Sequence, residues 1–92
     1  MRSSEFEWDP RKSEANFRKH GVRFSDAATA FLDLAAITSA DPDSNGELRF
    51  MTLAQDINGR VLVTVFTYVD ERVRIISSRK ASRAERLDYF ER

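Results

Sequence analysis

The side chains that could do chemistry in this chain are basic ones gathered near its end. Residues 72–92 hold seven Lys or Arg against three Asp or Glu, a formal charge of +4, while residues 1–71 carry −4 and the whole chain is neutral. There is no cysteine and a single histidine, His20, so thiolate nucleophiles and most conventional catalytic sets are excluded. Any chemistry is therefore expected to depend on arginine and lysine.

Two arginines are predicted to lie side by side on a sheet. Strands are predicted at 48–57, 60–68 and 72–79, separated by Asn58-Gly59 and Asp70-Glu71, which are typical of two-residue hairpin turns. Arg60 and Arg79 then become diagonal neighbours on one face. The pairs this register predicts are Ile57 with Arg60, Leu53 with Thr64, Arg49 with Tyr68, Arg72 with Val69, Ser77 with Thr64, Arg79 with Leu62, and Lys80 with Val61.

An arginine pair of this kind suits a phosphate. Guanidinium groups bind phosphate oxygens in a bidentate fork, and two of them can stabilise the charge that develops when a 2′-hydroxyl attacks the phosphorus. Lys80 offers a third charge, although the register starts it on the opposite face, near Asp56. The alternative is that the carboxylates of Asp56, Glu47 or Glu85 simply neutralise these cations. Arg49 is predicted about 20 Å along the strand from Gln55 and serves a different contact.

Two roles are open for His20. It is the only side chain that titrates near neutral pH, which suits a general acid or base. Lys19-His20-Gly21 also has the pattern of a helix C-terminus, where an imidazolium is stabilised by the helix dipole. The aromatic side chains of Trp8, Tyr68 and Tyr89 can stack on bases, but their spacing favours packing.

The segment from Asp41 to Gly46 resembles the opening of a calcium-binding loop but is not expected to bind calcium. Asp41, Asp43 and Asn45 fall on ligand positions, yet the twelfth position is Thr52 where a bidentate glutamate is required. The segment that follows is predicted as a strand instead of a helix. We expect no metal site and no cofactor.

The order of elements predicts one α+β domain over residues 1–92. A short strand at 5–8 precedes a helix from Pro10 to about His20, which Asp9 caps and Gly21 ends. Ser25-Asp26 is expected to cap a second helix burying Ala28, Phe31 and Leu32. A strand at 35–40, the three strands above and a final helix opened by the capping box Ser82-x-x-Glu85 complete the chain.

Side-chain alternation divides the predicted sheet into two faces. The apolar face is expected to lie under the first two helices and carries Phe50, Ala54, Val61, Val63, Val65 and Ile76. The other face mixes polar and apolar groups and carries Gln55, Arg60, Leu62, Thr64, Ser77 and Arg79, with Arg49 and Tyr68 at its far end. With no apolar run of about 20 residues and no signal peptide, the chain is expected in the cytoplasm, away from membranes.

The sequence resembles the BrnT toxin family over nearly its whole length. The motifs that carry the resemblance are Phe6-Glu7-Trp8-Asp9, Lys19-His20-Gly21, Arg49-Phe50, Gly59-Arg60, the run Arg74 to Ala81, and Glu85-Arg86. The resemblance implies a RelE-like fold, with an antiparallel sheet of four to five strands, two N-terminal helices on one face and a C-terminal helix. It also implies a metal-independent endoribonuclease toxin of a type II toxin-antitoxin system.

The resemblance also suggests roles for individual residues. Arg60 and Arg79 fall where RelE-like toxins place phosphate-binding arginines, so with Lys80 and His20 they are the catalytic candidates. Arg49, Arg74, Arg83 and Tyr68 are the candidates for binding RNA, and Tyr89 is the available C-terminal tyrosine.

The implied partners are an RNA substrate and a BrnA-like ribbon-helix-helix antitoxin, in a heterotetramer with an antitoxin dimer that contacts operator DNA. Antitoxin-mediated DNA contact is compatible with a toxin of zero net charge. The alternative is a non-enzymatic subunit that binds nucleic acid or a partner protein through its basic C-terminal segment.

Overall fold

The computed structural model describes residues 5–42, 46 and 48–91. Its elements, in chain order, are β1 (Phe6–Glu7), α1 (Pro10–His20), α2 (Phe24–Thr29), a 3₁₀ turn (Ala30–Leu32), β2 (Ile37–Ala40), β3 (Phe50–Gln55), β4 (Val61–Val69), β5 (Arg72–Lys80) and α3 (Arg83–Phe90). The predicted α+β class is confirmed. No helix within these residues is long and apolar enough to cross a membrane.

The five strands form one sheet in the order β1-β5-β4-β3-β2. The three contacts among β2, β3, β4 and β5 are antiparallel, as expected for sequential hairpins. The sheet departs from the predicted antiparallel arrangement at one edge, because β1 runs parallel to β5 and pairs Phe6 with Val73. The sheet is therefore mixed, with β1 at one edge and β2 at the other.

Both predicted ends of α1 and the predicted start of α3 are confirmed. The Asp9 carboxylate accepts the Arg11 N–H at 2.9 Å, and Gly21 ends the helix with φ of 71° while donating to the Phe17 carbonyl. At α3 the capping box forms in both directions between Ser82 and Glu85.

The predicted start of α2 is wrong. Its cap position is Arg23, which makes no side-chain capping bond, and the helix begins at Phe24. Phe24 is fully buried, so core packing positions this end of the helix. Ala28 and Phe31 pack against the core as predicted, but Leu32 is 82% exposed.

The first hairpin is one residue out of the predicted register. Gln55 pairs with Val61, so the turn holds three residues between Asp56 and Arg60 instead of two. The Asp56 carboxylate accepts the N–H groups of Asn58 at 3.0 Å and Arg60 at 2.8 Å, which holds the wider turn closed. Gly59, with φ of 80°, takes the left-handed position of this turn.

The second hairpin starts in the predicted register and then leaves it. Val69 pairs with Arg72 around Asp70 and Glu71, both with positive φ, as a two-residue turn requires. A β-bulge then leaves Ile76 without a partner on β4. Beyond the bulge the predicted pairs are wrong by one residue: Ser77 pairs with Val65, Arg79 with Val63, and Lys80 with Leu62.

These two shifts change which residues form the core. Under α1 and α2 the buried cluster is Val22, Phe24, Ala27, Leu62 and Ile75. Val61 and Val63, predicted for that face, lie on the opposite one and pack with Ala81 and Tyr89 of the C-terminal segment. The sheet is thus covered by helices on both faces, with α3 over one end of the second face.

A buried amide joins α1 to the last strand. Asn16 donates to the Val22 carbonyl at 2.9 Å and to the Ser78 carbonyl at 2.8 Å, and accepts the Ser78 N–H at 3.1 Å. The Ser78 hydroxyl shares a further hydrogen bond with Thr64. This network holds the end of β5, and hence Arg79 and Lys80, in a defined position relative to α1.

Candidate functional site

Three cations of the described residues line a hollow at one end of the sheet, where the β3–β4 turn, the end of β5 and α3 meet. Its volume is about 330 Å³, and its lining residues are Gly59, Arg60, Val61, Lys80, Ala81, Arg86 and Phe90. No carboxylate is among these lining residues. We call this site the basic hollow.

Arg60 is held firmly at the edge of the basic hollow. Its guanidinium donates to Asp56 at 3.0 Å, to Asp26 at 3.3 Å and to the Gly21 carbonyl at 3.1 Å. The Asp56 side chain is fully buried, and Arg60 is its ion-pair partner. Moving this arginine away would leave a buried carboxylate without its counter-charge, which is costly. Arg60 is thus pre-oriented, but two carboxylates already share its charge.

Lys80 and Arg86 are the available charges. Both residues are exposed, and within residues 5–42, 46 and 48–91 neither side chain makes a hydrogen bond or an ion pair. A phosphate entering the basic hollow would meet these two cations without first displacing a carboxylate from them. The charge available for anion binding therefore comes from the end of β5 and from α3.

Arg79 lies on the other face of β5 and is already paired. It donates to the two carboxylate oxygens of Glu85 at 2.8 and 3.0 Å. Arg79 lowers the pKa of Glu85 to about 2, with a smaller contribution from Ser82, and Glu85 in turn raises the pKa of Arg79.

The predicted adjacency of Arg60 and Arg79 is therefore wrong. The structure instead brings Arg60 together with Lys80, because the bulge pairs Lys80 with Leu62 and turns Arg79 to the face of Val63.

His20 is the last residue of α1 and directly precedes Gly21, the residue whose carbonyl accepts the hydrogen bond from Arg60. The end of α1 is thus joined to the arginine that lines the basic hollow. Both roles considered for His20, helix termination and proton transfer, are compatible with this position.

The four predicted RNA-binding residues lie in three places. Arg49 and Arg74 line a second hollow with Lys12 and Thr67. Arg83 is the exposed first residue of α3. Tyr68, on β4, is 58% exposed and packs edge-on against the rings of Phe50 and Phe66.

The comparison with known protein families agrees with the family resemblance of the sequence motifs. The family model described as "Ribonuclease toxin, BrnT, of type II toxin-antitoxin system" matches residues 8–85. The chain belongs to the BrnT toxin family. The family's ribonuclease toxins function in type II toxin-antitoxin systems, which implies an antitoxin partner and an RNA target for this chain.

The fold is similar to that of a solved BrnT protein. The crystal structure of the Brucella abortus ribonuclease toxin BrnT matches with a TM-score of 0.68 and 24% identity, over 88% of this chain and 100% of that one. At this identity the likeness concerns the fold. A search of curated proteins finds no match.

The described ranges of the chain show no candidate metal centre. No group of three or more His, Cys, Asp or Glu suited to a metal ion occurs there. Asp43 and Asn45 of the calcium-like segment lie outside the described residues, so the prediction that this loop binds no calcium stays a prediction.

Arg86 is the residue of the basic hollow that the sequence analysis did not select. A signal for it was present in the capping box. Because Glu85 folds back onto Ser82 in the first turn of α3, the residue after Glu85 is held near the end of β5. The motif Glu85-Arg86 therefore contains one residue that fixes the helix and one that faces the basic hollow.

Proposed function

We propose that this chain is a metal-independent endoribonuclease that cleaves RNA at the basic hollow. The observation that supports this proposal is the convergence of Arg60, Lys80 and Arg86 on one hollow, with Lys80 and Arg86 unpaired within the described residues. Preorganised cations at a site where negative charge develops can supply transition-state stabilisation without a metal ion.

The proposed reaction is an internal transfer at phosphorus. The 2′-hydroxyl of the RNA loses its proton and attacks the adjacent phosphate, while the bond to the 5′-oxygen breaks and that oxygen takes up a proton. The products are a 2′,3′-cyclic phosphate and a 5′-hydroxyl end. Lys80 and Arg86 bind the non-bridging oxygens, whose negative charge grows in the transition state.

The remaining candidates take different roles in this proposal. Arg60 fixes the geometry of the basic hollow, because Asp56 and Asp26 hold it in place. Lys80 stabilises charge or donates the proton to the 5′-oxygen, and His20 is the candidate for the other proton transfer. Arg79 acts as a positioning residue, because its bond to Glu85 holds the first turn of α3 and hence Arg86.

The proposed partner is a BrnA-like ribbon-helix-helix antitoxin, present as a dimer in a heterotetramer that binds operator DNA through the antitoxin. We place this complex in the cytoplasm, where the RNA target is made. The mass of the complex purified with its antitoxin tests the stoichiometry, and a mass other than that of two toxins with two antitoxins contradicts it.

Lys80→Ala tests the proposed chemistry. The variant is expected to cleave RNA about 10²- to 10³-fold more slowly than the wild type, with an unchanged melting temperature, because Lys80 is exposed and unpaired within the described residues. The measurement is the rate of cleavage by the purified, antitoxin-free protein, with and without a chelator.

Arg18→Ala is the matched control, since it removes one exposed cation from α1 and leaves the basic hollow intact. Full activity of Lys80→Ala contradicts the proposed site. Cleavage that stops on addition of the chelator contradicts the metal-independent reaction. Absence of products from the wild type favours the non-enzymatic binding subunit.

A further inference from the structure

A second cationic hollow lies on the sheet away from the basic hollow. Its volume is about 400 Å³, and it is lined by Lys12, Leu48, Arg49, Thr67, Arg74 and Ile76. Three of these six residues are cations, and they come from α1, from the segment before β3 and from β5. We call this site the distal hollow.

The β-bulge at Ile76 connects the distal hollow with the face that carries Arg79. In a regular strand, residues 74 and 79 would point to opposite faces, because they are separated by an odd number of positions. The extra residue at the bulge restores a common face: Arg74 pairs with Thr67 and Arg79 with Val63, and both partners lie on the same side of β4. Arg74 and Arg79 therefore share one face of β5, whereas Lys80, which pairs with Leu62, starts on the opposite face at the end of the strand. Val61 and Ala81 lie on the face of Arg79 and also line the basic hollow, so this face leads to it.

The charge of Arg74 in the distal hollow is partly compensated by Glu7. This carboxylate accepts from Arg72 at 3.2 Å and from Arg74 at 2.5 Å, so one negative charge serves two guanidinium groups. These contacts, first with Arg74 and then with Arg72, lower the pKa of Glu7 and keep it ionised.

Two groups in the distal hollow can reach a ligand. The Arg74 side chain is still 40% exposed in its ion pair with Glu7. Lys12 is exposed and makes no side-chain hydrogen bond or ion pair to any residue the structure describes.

We propose that the distal hollow binds a backbone phosphate of the same single-stranded RNA whose cleavage takes place at the basic hollow. This inference rests on the proposed function and adds a second phosphate site to it. Arg74 and Lys80 are separated by about 20 Å along β5. This distance corresponds to about six nucleotides at about 3.4 Å per phosphate, and to fewer where the RNA is extended.

The test is the binding of fully 2′-O-methylated RNA, which has no 2′-hydroxyl to react and so reports binding apart from cleavage. Lys12→Ala is expected to weaken binding of an oligomer of about 12 nucleotides by about 3- to 10-fold, measured by fluorescence anisotropy. The slope of log K against log salt is expected to fall by about 0.7, the contribution of one phosphate contact. Lys12→Arg is expected to restore both values.

Arg18→Ala provides the matched control, because it removes an exposed cation from the same helix without touching the distal hollow. A trinucleotide, titrated by NMR, is too short to span both sites, so Lys12→Ala is expected to weaken its binding at the distal hollow and to leave its binding at the basic hollow unchanged.

Equal binding of the long oligomer by Lys12→Ala and the wild type overturns the inference, as does an equal loss in Arg18→Ala. Tighter binding of duplex DNA than of RNA, with the same dependence on Lys12, overturns the assignment to RNA. If binding depends on Lys12 but natural RNA is not cleaved, the distal hollow is supported as an RNA-binding site and the proposed cleavage reaction is contradicted.

Discussion

Replacing Glu85 by Gln tests whether a charged contact holds α3 on the sheet. The Glu85 carboxylate accepts from the Arg79 guanidinium at 2.8 and 3.0 Å and from the Ser82 N–H at 2.7 Å. Glutamine is also a capping-box residue, so Glu85→Gln keeps the contact with Ser82 and removes only the charge. The loss of stability then measures the ion pair with Arg79.

The magnitude follows from the pKa of Glu85. Lowering that pKa from 4.5 to about 2 corresponds to an upper bound of about 3 kcal/mol. The side chains of Glu85 and Arg79 remain 29% and 45% exposed, so solvent screening reduces this value. We expect Glu85→Gln to lower the free energy of unfolding by about 1–2 kcal/mol near neutral pH.

The sign of the pH dependence is fixed by the direction of the shift. The folded protein has the lower pKa, so the stabilisation is complete above the unfolded value of 4.5 and is lost as the pH falls towards about 2. The difference in stability between wild type and Glu85→Gln is therefore expected to fall to less than half of its neutral value by about pH 3.

Urea unfolding followed by circular dichroism measures this difference as a function of pH. Because both proteins share every other carboxylate, their difference isolates Glu85. A difference that is the same at neutral and acidic pH would refute the assignment to the ion pair. In an Arg79→Met background, Glu85→Gln should change the stability little, since its partner is gone.

Two further substitutions test the elements that position the basic hollow. Asn16→Ala is expected to lower the free energy of unfolding by about 2–4 kcal/mol in the same assay. The substitution leaves the buried carbonyls of Val22 and Ser78 and the Ser78 N–H without their hydrogen-bond partner. A loss below about 1 kcal/mol would contradict this expectation. Gly21→Ala is expected to cost about 1 kcal/mol, measured as a lower melting temperature, because its φ is +71° while no atom lies within 4 Å of the added Cβ. An unchanged melting temperature would show that the left-handed conformation is not required there.

Local sequence signals predicted the helix ends well. Asp9-Pro10, Gly21 and the Ser82-x-x-Glu85 capping box each act through bonds within a few residues, so their outcome depends little on the rest of the fold. The start of α2 was missed, because burial of Phe24 sets that end without any side-chain cap.

The register of the sheet is where sequence reasoning failed. Turn residues predicted two tight hairpins, but the Asp56 carboxylate holds a wider first turn and a bulge at Ile76 shifts the end of β5. Each change is one residue, and each moves side chains to the other face because the strand repeat is two. The predicted partnership of Arg60 with Arg79 was lost for this reason.

The sequence by itself determined the α+β order, both ends of α1, the start of α3, the family and the basic character of the C-terminal segment. All of these depend on residue types, short-range bonds or motifs that can be read along the chain. Only the tertiary structure decided which cations meet: Lys80 joins Arg60 and Arg86, whereas Arg79 pairs with Glu85 on the opposite face. That choice depends on the bulge and on the packing of α3, which bring together groups that are distant along the chain.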